Sequence, residues 1–245
     1  MAKNEKYEIG MCYNLVMNKI AVVIYGPPGS GKGTQANLLA LSNGLIHFDS
    51  GRFIEFLLKD PRRVGDPIID RQRALFEKGE LCETEWVMDV IGRQTKKIVA
   101  ADFGIVLSGS PRTFFEAFGD DKTKGILPLL QEDYGSENVH VIFLRVSDRV
   151  SIARNSHRRL CTVCGFQLIN DSNLVNPFCP FCGGSLYTRV FDNEAKIVIR
   201  LEEFRKKTLP ILAEIKKRGM NFYEVDGEQL PYLVHQEIVL SGLRQ

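Results

Sequence analysis

The residues with the clearest chemical potential form a glycine-rich stretch over residues 26–34, Gly-Pro-Pro-Gly-Ser-Gly-Lys-Gly-Thr. An apolar run at 20–25, typical of a buried parallel strand, comes before it, and a helical pattern follows at 34–40. Glycines let successive backbone N–H groups point at one anion, and the helix N-terminus adds positive potential. A tight turn with an incidental lysine is the alternative, but this context favours a phosphate-binding loop. Its phosphate-holding residues would be Gly29, Ser30, Gly31, Lys32, Gly33 and Thr34.

Four cysteines form a second group with chemical potential. Cys161 and Cys164 belong to one Cys-x-x-Cys-Gly sequence, and Cys179 and Cys182 belong to another. Fourteen residues separate the two cysteine pairs. Four thiolates at this spacing suit the tetrahedral geometry of a closed structural Zn²⁺ site. Two disulfides are the alternative, and a reducing compartment disfavours them. We therefore predict a structural zinc ion that stabilises an insert too small to form its own core.

The composition excludes several classes of protein. The chain of 245 residues is 44% hydrophobic and 25% charged, which suits one α/β domain with insertions. Its net charge of +2 comes without a basic block, so no nucleic-acid partner is indicated. No apolar run approaches the ~20 residues of a membrane span, and no signal-peptide core precedes the first strand. We expect a cytoplasmic protein without a membrane partner.

Strand and helix patterns alternate along the chain and must position these residues. The strand-like segments are 20–25, 45–48, 104–107, 139–146 and 221–225. The helical segments are 49–59, 67–78, 84–99, 192–218 with an interruption at Pro210, and 231–243. This alternation predicts a parallel sheet with helices on both faces, from which the cysteine-bearing residues 160–190 stand apart as a small insert.

Several separated motifs give the chain a resemblance to a known family over most of residues 19–226. The phosphate-binding loop ends in Gly-Lys-Gly-Thr, and it is followed in order by further motifs: Asp49-Ser50-Gly51, Gly-Ser-Pro-Arg-Thr at 109–113, the arginine-bearing segment 154–159, the cysteine pairs, and Arg189 with Arg200. In these features the chain resembles the adenylate kinases, a family of nucleoside monophosphate kinases, in their long form with a zinc-binding lid.

The resemblance implies a P-loop NTPase-type fold in which five parallel strands are flanked by helices. It divides the chain into an N-terminal extension at 1–18, a core at 19–48, 84–158 and 192–245, an acceptor-binding region at 49–83, and a zinc-binding lid at 159–191. The lid would close over ATP and exclude water, which otherwise accepts the phosphate. Members of the family are usually monomeric, so we expect a monomer.

The resemblance also implies the reaction, which is reversible transfer of the γ-phosphoryl group of Mg²⁺-bound ATP to a nucleoside monophosphate, with AMP as the leading acceptor. Arginines suit this chemistry because its catalysis consists mostly of positioning and charge neutralisation. Lys32 would act on the transferred phosphate, and Arg112 would hold the acceptor phosphate. Arg154 would lie over the donor adenine. The residues that would clamp the phosphates on closure are Arg158, which also contacts ATP, Arg189 and Arg200. The implied acceptor-binding residues are Ser50, Gly51, Arg52, Glu55, Cys82, Gly109, Arg112 and Glu116.

Two departures from the family pattern concern the acceptor phosphate and the metal. The family sequence Ser-Thr-Gly-Asp-x-x-Arg reads Asp-Ser-Gly-Arg-Phe-Ile-Glu over residues 49–55, so an acid and a base have exchanged places and could pair at i and i+3. Glu55 therefore stands where the family has an arginine for the AMP phosphate, and Arg52 is the hypothetical replacement. Ser108 replaces an aspartate that orients the water shell of Mg²⁺, and it is a weaker, neutral anchor.

A third departure concerns the base. Glu116 stands where the family has a glutamine that reads adenine, and an ionised carboxylate can only accept hydrogen bonds. A carboxylate suits the adjacent N–H donors of guanine, whereas a Glu116 turned to solvent would read nothing. Two alternatives stay open: a kinase for another acceptor such as GMP, or a nucleotide-binding protein with little catalytic activity. A zinc-ribbon module for nucleic acid is weaker still, because the insert lacks interleaved basic and aromatic residues.

Overall fold

The computed structural model describes residues 19–78, 80–168, 177–188 and 192–241. The strands are β1 (Ala21–Tyr25), β2 (Ile46–Asp49), β3 (Ile105–Ser108), β4 (Val139–Arg145), β5 (Arg159–Cys161), β6 (Gln167–Leu168), β7 (Leu186–Tyr187) and β8 (Asn221–Asp226). The helices are α1 (Lys32–Asn43), α2 (Ser50–Lys59), α3 (Pro67–Lys78), α4 (Thr84–Ala100), α5 (Phe114–Phe118), α6 (Ile126–Tyr134), α7 (Asp148–Ser156), α8 (Glu194–Glu203), α9 (Leu209–Lys217) and α10 (Pro231–Leu240). Short 3₁₀ turns lie at Pro61–Arg63 and Ser136–Asn138.

Five strands form the central sheet in the order β2-β3-β1-β4-β8, and all of its pairings are parallel. Such strands are apolar on both faces because helices cover both. In β1, Ala21, Val23 and Tyr25 belong to one core cluster, and Val22 and Ile24 belong to the other. The predicted parallel sheet flanked by helices, of the P-loop NTPase type, is confirmed.

Different helices cover the two faces of the sheet. The cluster that contains Tyr25 includes Ile91 of α4, Leu130 of α6 and Ile211 of α9. The opposite cluster includes Leu39 of α1 and residues of α10. At the carboxyl edge, where the glycine-rich loop leaves β1, the last side chains of β1 therefore point to the two faces in alternation. Within the described ranges, no helix is both long and apolar enough to cross a membrane.

The predicted elements agree closely with the observed ones. All five predicted strands of the sheet are present with bounds within one residue, and α2, α3 and α4 occupy the predicted helical segments. The segment predicted over 192–218 forms α8 and α9, joined by a π-helical turn at Phe204–Thr208. Pro210 explains this wider turn, since proline lacks an N–H group and crowds the preceding turn. Residues 242 and 243 of the last predicted helix lie outside the described residues, as does the extension at 1–18.

The residues between β2 and α4 form a helical layer beside the carboxyl edge of the sheet. The Asp49 side chain accepts a hydrogen bond from the backbone N–H of Arg52 at 3.0 Å and caps α2. The Arg73 guanidinium of α3 donates to the carbonyl of Leu58 at the end of α2. Gln72 of α3 is fully buried and exchanges hydrogen bonds with Glu83, so this layer is attached to the start of α4.

Residues 159–168 and 177–188 form a small antiparallel sheet in the order β6-β5-β7. Its buried side chains include Leu160 and Leu168 and two of the four clustered cysteines. The apolar groups buried in the described part of the insert are few, and so small a core contributes little stability. The predicted insert with short strands and turns is therefore observed, apart from residues 169–176 and 189–190, which lie outside the described residues.

Candidate functional site

The glycine-rich loop connects β1 to the N-terminus of α1, as its sequence predicted. Gly29 has a positive φ of 73°, and a Cβ atom there would lie 2.4 Å from Asn155 Nδ2 of α7. Asn155 in turn donates to the carbonyl of Ser151, and the Ser151 hydroxyl donates to the carbonyl of Pro28. Helix α7 therefore supports the loop from behind, which leaves its other side open to the cavity.

Lys32, the first residue of α1, folds back across the loop. Its Nζ atom donates to the carbonyls of Gly26 at 2.8 Å and Pro27 at 2.9 Å. Burial lowers the pKa of Lys32 to about 7, and the nearby guanidinium groups of Arg112, Arg200 and Arg158 contribute to that shift. The loop is thus a site of concentrated positive potential that an anionic ligand would neutralise.

One cavity extends from the loop to the α2 layer and brings together most of the residues singled out from the sequence. Its wall includes Lys32, Ser50, Gly51, Glu55, Cys82, Gly109, Arg112, Glu116 and Arg200. Arg52, Arg154 and Arg158 are not among the residues that line this cavity. Arg189 lies outside the described residues. The cavity is therefore long enough to connect a phosphate-binding loop with a second, separate binding wall.

Two arginines of the site share one buried aspartate. Arg158 donates Nε and Nη2 to the two carboxylate oxygens of Asp192 at 3.0 and 2.7 Å. Arg200 Nη1 lies 3.6 Å from the same carboxylate, whose side chain is 0% exposed. This bidentate geometry orients Arg158 firmly. Asp192 was not identified from the sequence, because its partner Arg158 is distant along the chain.

Arg112 is held by backbone groups. Its Nε atom donates to the carbonyl of Gly109, and its own carbonyl accepts from the Thr208 hydroxyl at 2.9 Å. Thr208 ends the π-helical turn between α8 and α9, so that turn contributes to the position of Arg112. A Cβ atom on Gly51 would lie 3.3 Å from Arg112 Nη2, which places the guanidinium beside the start of α2.

Arg52 is not among the residues that line the cavity, and its proposed contact with the acceptor phosphate stays a prediction. A Cβ atom on Gly165 would lie only 2.2 Å from Arg52 Nη1, so the guanidinium packs against the first cysteine turn of the insert. Glu55 forms an ion pair with Lys59 at 2.7 Å. This ion pair joins residues four apart along α2, a spacing at which side chains of a helix meet.

Arg154 lies at the other side of the loop. It donates to the carbonyls of Gly227 at 2.7 Å and Glu228 at 3.1 Å, which follow β8. Burial lowers the pKa of Arg154, while the charge of Glu228 opposes this change. Its planar guanidinium therefore lies between the glycine-rich loop and the segment after β8, on the donor side of the site.

Ser108 ends β3 and belongs to a hydrogen-bonded series of side chains. Its Oγ atom lies 2.7 Å from His47 Nε2, and His47 Nδ1 lies 2.6 Å from Asn37 Oδ1 of α1. In the parallel ladder, Ser108 is the direct neighbour of Asp49. Neighbouring residues of a ladder extend from the same face, and the Asn37 contact shows that α1 covers this face. A carboxylate therefore stands beside the serine that replaces the family aspartate.

Glu116 is buried, with 2% of its surface exposed, and it lines the cavity. One carboxylate oxygen accepts the backbone N–H of Arg112 at 2.7 Å. Burial raises the pKa of Glu116, and that hydrogen bond opposes the rise. Burial also raises the pKa of the neighbouring Cys82 thiol to about 11, so Cys82 adds no charge to this part of the cavity wall. Glu116 is not turned to solvent.

The four cysteines of the insert converge, as predicted. Cys161 and Cys182 have sulfur atoms 3.4 Å apart, those of Cys164 and Cys179 are 3.7 Å apart, and all four lie within 4.8 Å of one another. Sulfurs bound to one zinc ion at about 2.3 Å are separated by about 3.8 Å, and a disulfide requires about 2.05 Å. The cluster fits a closed zinc site rather than two disulfides.

Backbone N–H groups complete this cluster. The amides of Val163 and Cys164 donate to the Cys161 sulfur at 3.4 and 3.5 Å. Gly165 and Gly183 follow the second cysteine of each pair with positive φ values of 69° and 72°. Both glycines thus allow the chain to turn after a cysteine pair, and in the first pair backbone N–H groups donate to a cysteine sulfur.

Comparison with known proteins agrees with this architecture. A family model described as adenylate kinase matches residues 24–220. The chain is 32% identical to the adenylate kinase of Rhizorhabdus wittichii over 209 residues, which is 84% of this chain and 91% of that protein. It is also 32% identical to the adenylate kinase of Syntrophotalea carbinolica over 224 residues, 91% of this chain and 97% of that protein. With the adenylate kinase of Bacillus subtilis it shares 29% identity over 228 residues, 91% and 99% of the two chains.

The fold and the site define a P-loop phosphotransferase with a cysteine-bearing insert over its loop. The matches extend over most of the sequence and include the loop, the α2 layer and the insert. The chain belongs to the adenylate kinase family. It is an enzyme that transfers phosphoryl groups between ATP and a nucleoside monophosphate.

We expect the Asp192→Asn variant to lose about 3 kcal/mol of unfolding free energy, because removing one partner leaves the buried Arg158 charge uncompensated. Urea unfolding measures this loss. The matched control is Asp148→Asn, which breaks the exposed ion pair with Arg205 and should cost less than about 1 kcal/mol. Equal losses in the two variants would show that the buried pair has no special role.

Proposed function

We propose that this protein acts as an adenylate kinase, a cytoplasmic monomer that reversibly transfers the γ-phosphoryl group of ATP to AMP. The observation that carries the proposal is the continuous cavity between the phosphate-binding loop and the α2 layer. Two nucleotides that entered it from opposite ends would have their phosphates between Lys32, Arg112 and Arg200. In-line transfer requires this juxtaposition of donor and acceptor.

Positive charge would supply most of the catalysis. The phosphoryl group in transfer carries charge on its equatorial oxygens, and fixed cations stabilise that charge without reorganisation. Lys32 would leave its carbonyl partners for a phosphate oxygen, and the phosphate charge would restore its protonated state. Arg158 and Arg200, oriented by Asp192, would hold the donor phosphates.

The insert, proposed as the lid at 159–191, would exclude water from the transferred phosphate. In this structure it already rests on the core. A Cβ atom on Gly33 of the phosphate-binding loop would lie 3.4 Å from Gln167 Nε2, and Arg52 packs on Gly165. These two proximities support a lid that would cover both the donor loop and the acceptor layer.

Adenylate kinases use Mg²⁺ with ATP, and the oxygen groups of this site fit that ion. Mg²⁺ prefers oxygen ligands and keeps several waters that need anchors. Asp49, beside Ser108 on the face covered by α1, would anchor the waters of the ion. The ion would neutralise phosphate charge. We propose that Asp49 serves in place of the aspartate that Ser108 replaces.

The Asp49→Ser variant tests this assignment, because serine still caps a helix but carries no charge. We expect the affinity for Mn²⁺, measured by electron paramagnetic resonance in the presence of a non-hydrolysable ATP analogue, to fall about 10- to 100-fold. Adding Ser108→Asp to that variant should restore much of the affinity. In the otherwise unchanged protein, Ser108→Asp should raise the rate at limiting Mg²⁺.

A control separates the metal role of Asp49 from its capping role. Asp60 also accepts a backbone N–H, from Arg62, but it stands after α2. Asp60→Asn should leave Mn²⁺ affinity unchanged. If Asp49→Ser binds Mn²⁺ as tightly as the unchanged protein, the ion is anchored elsewhere.

We propose that the cysteine cluster holds a structural Zn²⁺ ion bound to Cys161, Cys164, Cys179 and Cys182. The ion would stabilise the lid, which buries few apolar side chains of its own. Four thiolates leave no open position, so the ion would take no part in the transfer.

Zinc removal should therefore affect the lid and leave the core folded. We expect one zinc per chain by atomic absorption, and less in Cys164→Ser. A chelator should lower the melting temperature and the turnover rate while the circular dichroism of the core persists. Cys82→Ser, outside the cluster, should keep its zinc. Purified protein with two disulfides and no metal would contradict the assignment.

GMP is a second candidate acceptor, and the burial of Glu116 in the cavity wall favours it. An ionised carboxylate could accept the adjacent N–H donors of guanine. The remaining alternative, nucleotide binding with little catalysis, predicts that ATP binds without turnover. The three candidate functions differ in which nucleoside monophosphate, if any, is converted to a diphosphate.

A phosphotransfer assay with Mg²⁺-ATP and AMP, GMP, CMP, UMP and their deoxy forms tests the proposal. We expect ADP from AMP and no transfer by Lys32→Ala, whose fold should persist. The control Lys217→Ala removes an exposed lysine outside the cavity and should keep full activity. Turnover of GMP alone would select the second candidate. ATP binding without any diphosphate product would exclude both kinases.

A further inference from the structure

The hydroxyl group of Tyr25 is buried without a hydrogen-bond partner in the described part of the chain. Tyr25 is the last residue of β1, and only 3% of its surface is exposed. A buried tyrosine hydroxyl usually finds a partner, because an unpaired polar group costs about 1–3 kcal/mol. Because Tyr25 also lines the cavity, a ligand bound there would be a partner for this hydroxyl.

Tyr25 lines the same cavity as Glu116 and Arg112. Alternation along β1 directs Tyr25 to the face of the sheet on which Ala117 and Phe118 of α5 pack. Glu116 belongs to the same short helix, and its charge, after burial, raises the pKa of Tyr25 well above its usual value. Tyr25 and Glu116 therefore lie on the same side of the sheet, and both line the cavity together with Arg112.

Glu116 and Tyr25 have complementary hydrogen-bonding abilities. An ionised glutamate can only accept, and one oxygen of Glu116 already accepts from Arg112 N–H at 2.7 Å. A tyrosine hydroxyl can donate. Together the two side chains present one donor and one acceptor. A glutamine side chain presents both groups by itself. The Watson–Crick edge of adenine offers one acceptor, N1, beside one donor, the N6 amino group.

We propose that Tyr25 is a specificity residue, whose hydroxyl donates to N1 of the acceptor adenine while Glu116 accepts from its N6 amino group. This inference rests on the proposed function, since it assigns the groups that read the base of AMP. It explains how a chain with glutamate in place of glutamine keeps a complete set of partners for adenine. The donor that the glutamate lacks comes from the adjacent strand.

The Tyr25→Phe variant should weaken AMP binding without destabilising the protein. We expect its affinity for AMP, measured by calorimetry, to fall about 3- to 10-fold, since one hydrogen bond is lost. Its affinity for ATP should stay unchanged. Its melting temperature without added nucleotide should stay the same or rise, because the removed hydroxyl has no partner among the described residues.

Tyr134→Phe is the matched control. The Tyr134 hydroxyl is also buried, but it donates to the carbonyl of Phe103 at 2.9 Å, away from the cavity. Its removal should lower the melting temperature and leave the affinity for AMP unchanged. If Tyr25→Phe behaves in the same way as Tyr134→Phe, Tyr25 is a structural residue and the proposal is wrong.

Combining the change with Glu116→Gln tests the shared reading directly. A glutamine amide supplies its own donor, so Tyr25→Phe should cost less affinity for AMP in that background than in the unchanged protein. Equal costs in both backgrounds would show that the two side chains do not read one base together.

The acceptor itself is tested separately on the unchanged protein. If it neither binds nor phosphorylates AMP, the proposed function has failed. If it phosphorylates AMP while Tyr25→Phe leaves AMP affinity intact, only the role of Tyr25 has failed. A loss of affinity confined to GMP in Tyr25→Phe would assign the pair to guanine and overturn the adenine assignment.

Discussion

The collection of positive charge around one glycine-rich loop is the constraint on which the rest of the structure depends. Burial lowers the pKa of Lys32 to about 7, and the nearby charges of Arg112, Arg200 and Arg158 add to that shift. The folded chain must hold these groups in place before any phosphate arrives. It does so with backbone carbonyls for Lys32 and Arg112, and with the buried carboxylate of Asp192 for the other two. The cations are thereby positioned in advance, and charge stabilisation then needs little reorganisation.

The parallel sheet makes this arrangement possible, because it brings distant segments to one edge. The ladder places Asp49 beside Ser108, and the alternation of β1 sends Tyr25 to the face of α5 and Glu116. Two of the substituted family positions, Ser108 and Glu116, therefore have a polar neighbour that another segment supplies. For the proposed metal anchor, the shift from Ser108 to Asp49 is one strand spacing, about 4.8 Å in a sheet.

Local features of the fold and site could be predicted from the sequence, whereas distant pairings could not. The loop, the five strands and the cysteine pairs are each encoded within a short segment, so their patterns were sufficient. The partnership of Asp192 with Arg158 depends on tertiary packing. Tyr25 was hidden in an apolar strand pattern, where its hydroxyl has no periodic signal. The direction of Arg52 depends on Gly165 in the insert, a contact between segments that no local pattern describes.

The distribution of charge indicates whether the departures from the family pattern have abolished catalysis. An uncompensated anion in the acceptor end would repel a phosphate, but Glu55 is paired with Lys59 and Glu116 accepts a backbone hydrogen bond. Burial, and after it the charges of Arg112, Arg200 and Arg158, lowers the pKa of Lys32, which disfavours its charged form. That cost is offset only when a polyanion binds among them. A protein that merely held a nucleotide would not need Arg112 beside α2 as well as Lys32 at the loop. The charge arrangement therefore favours an active kinase.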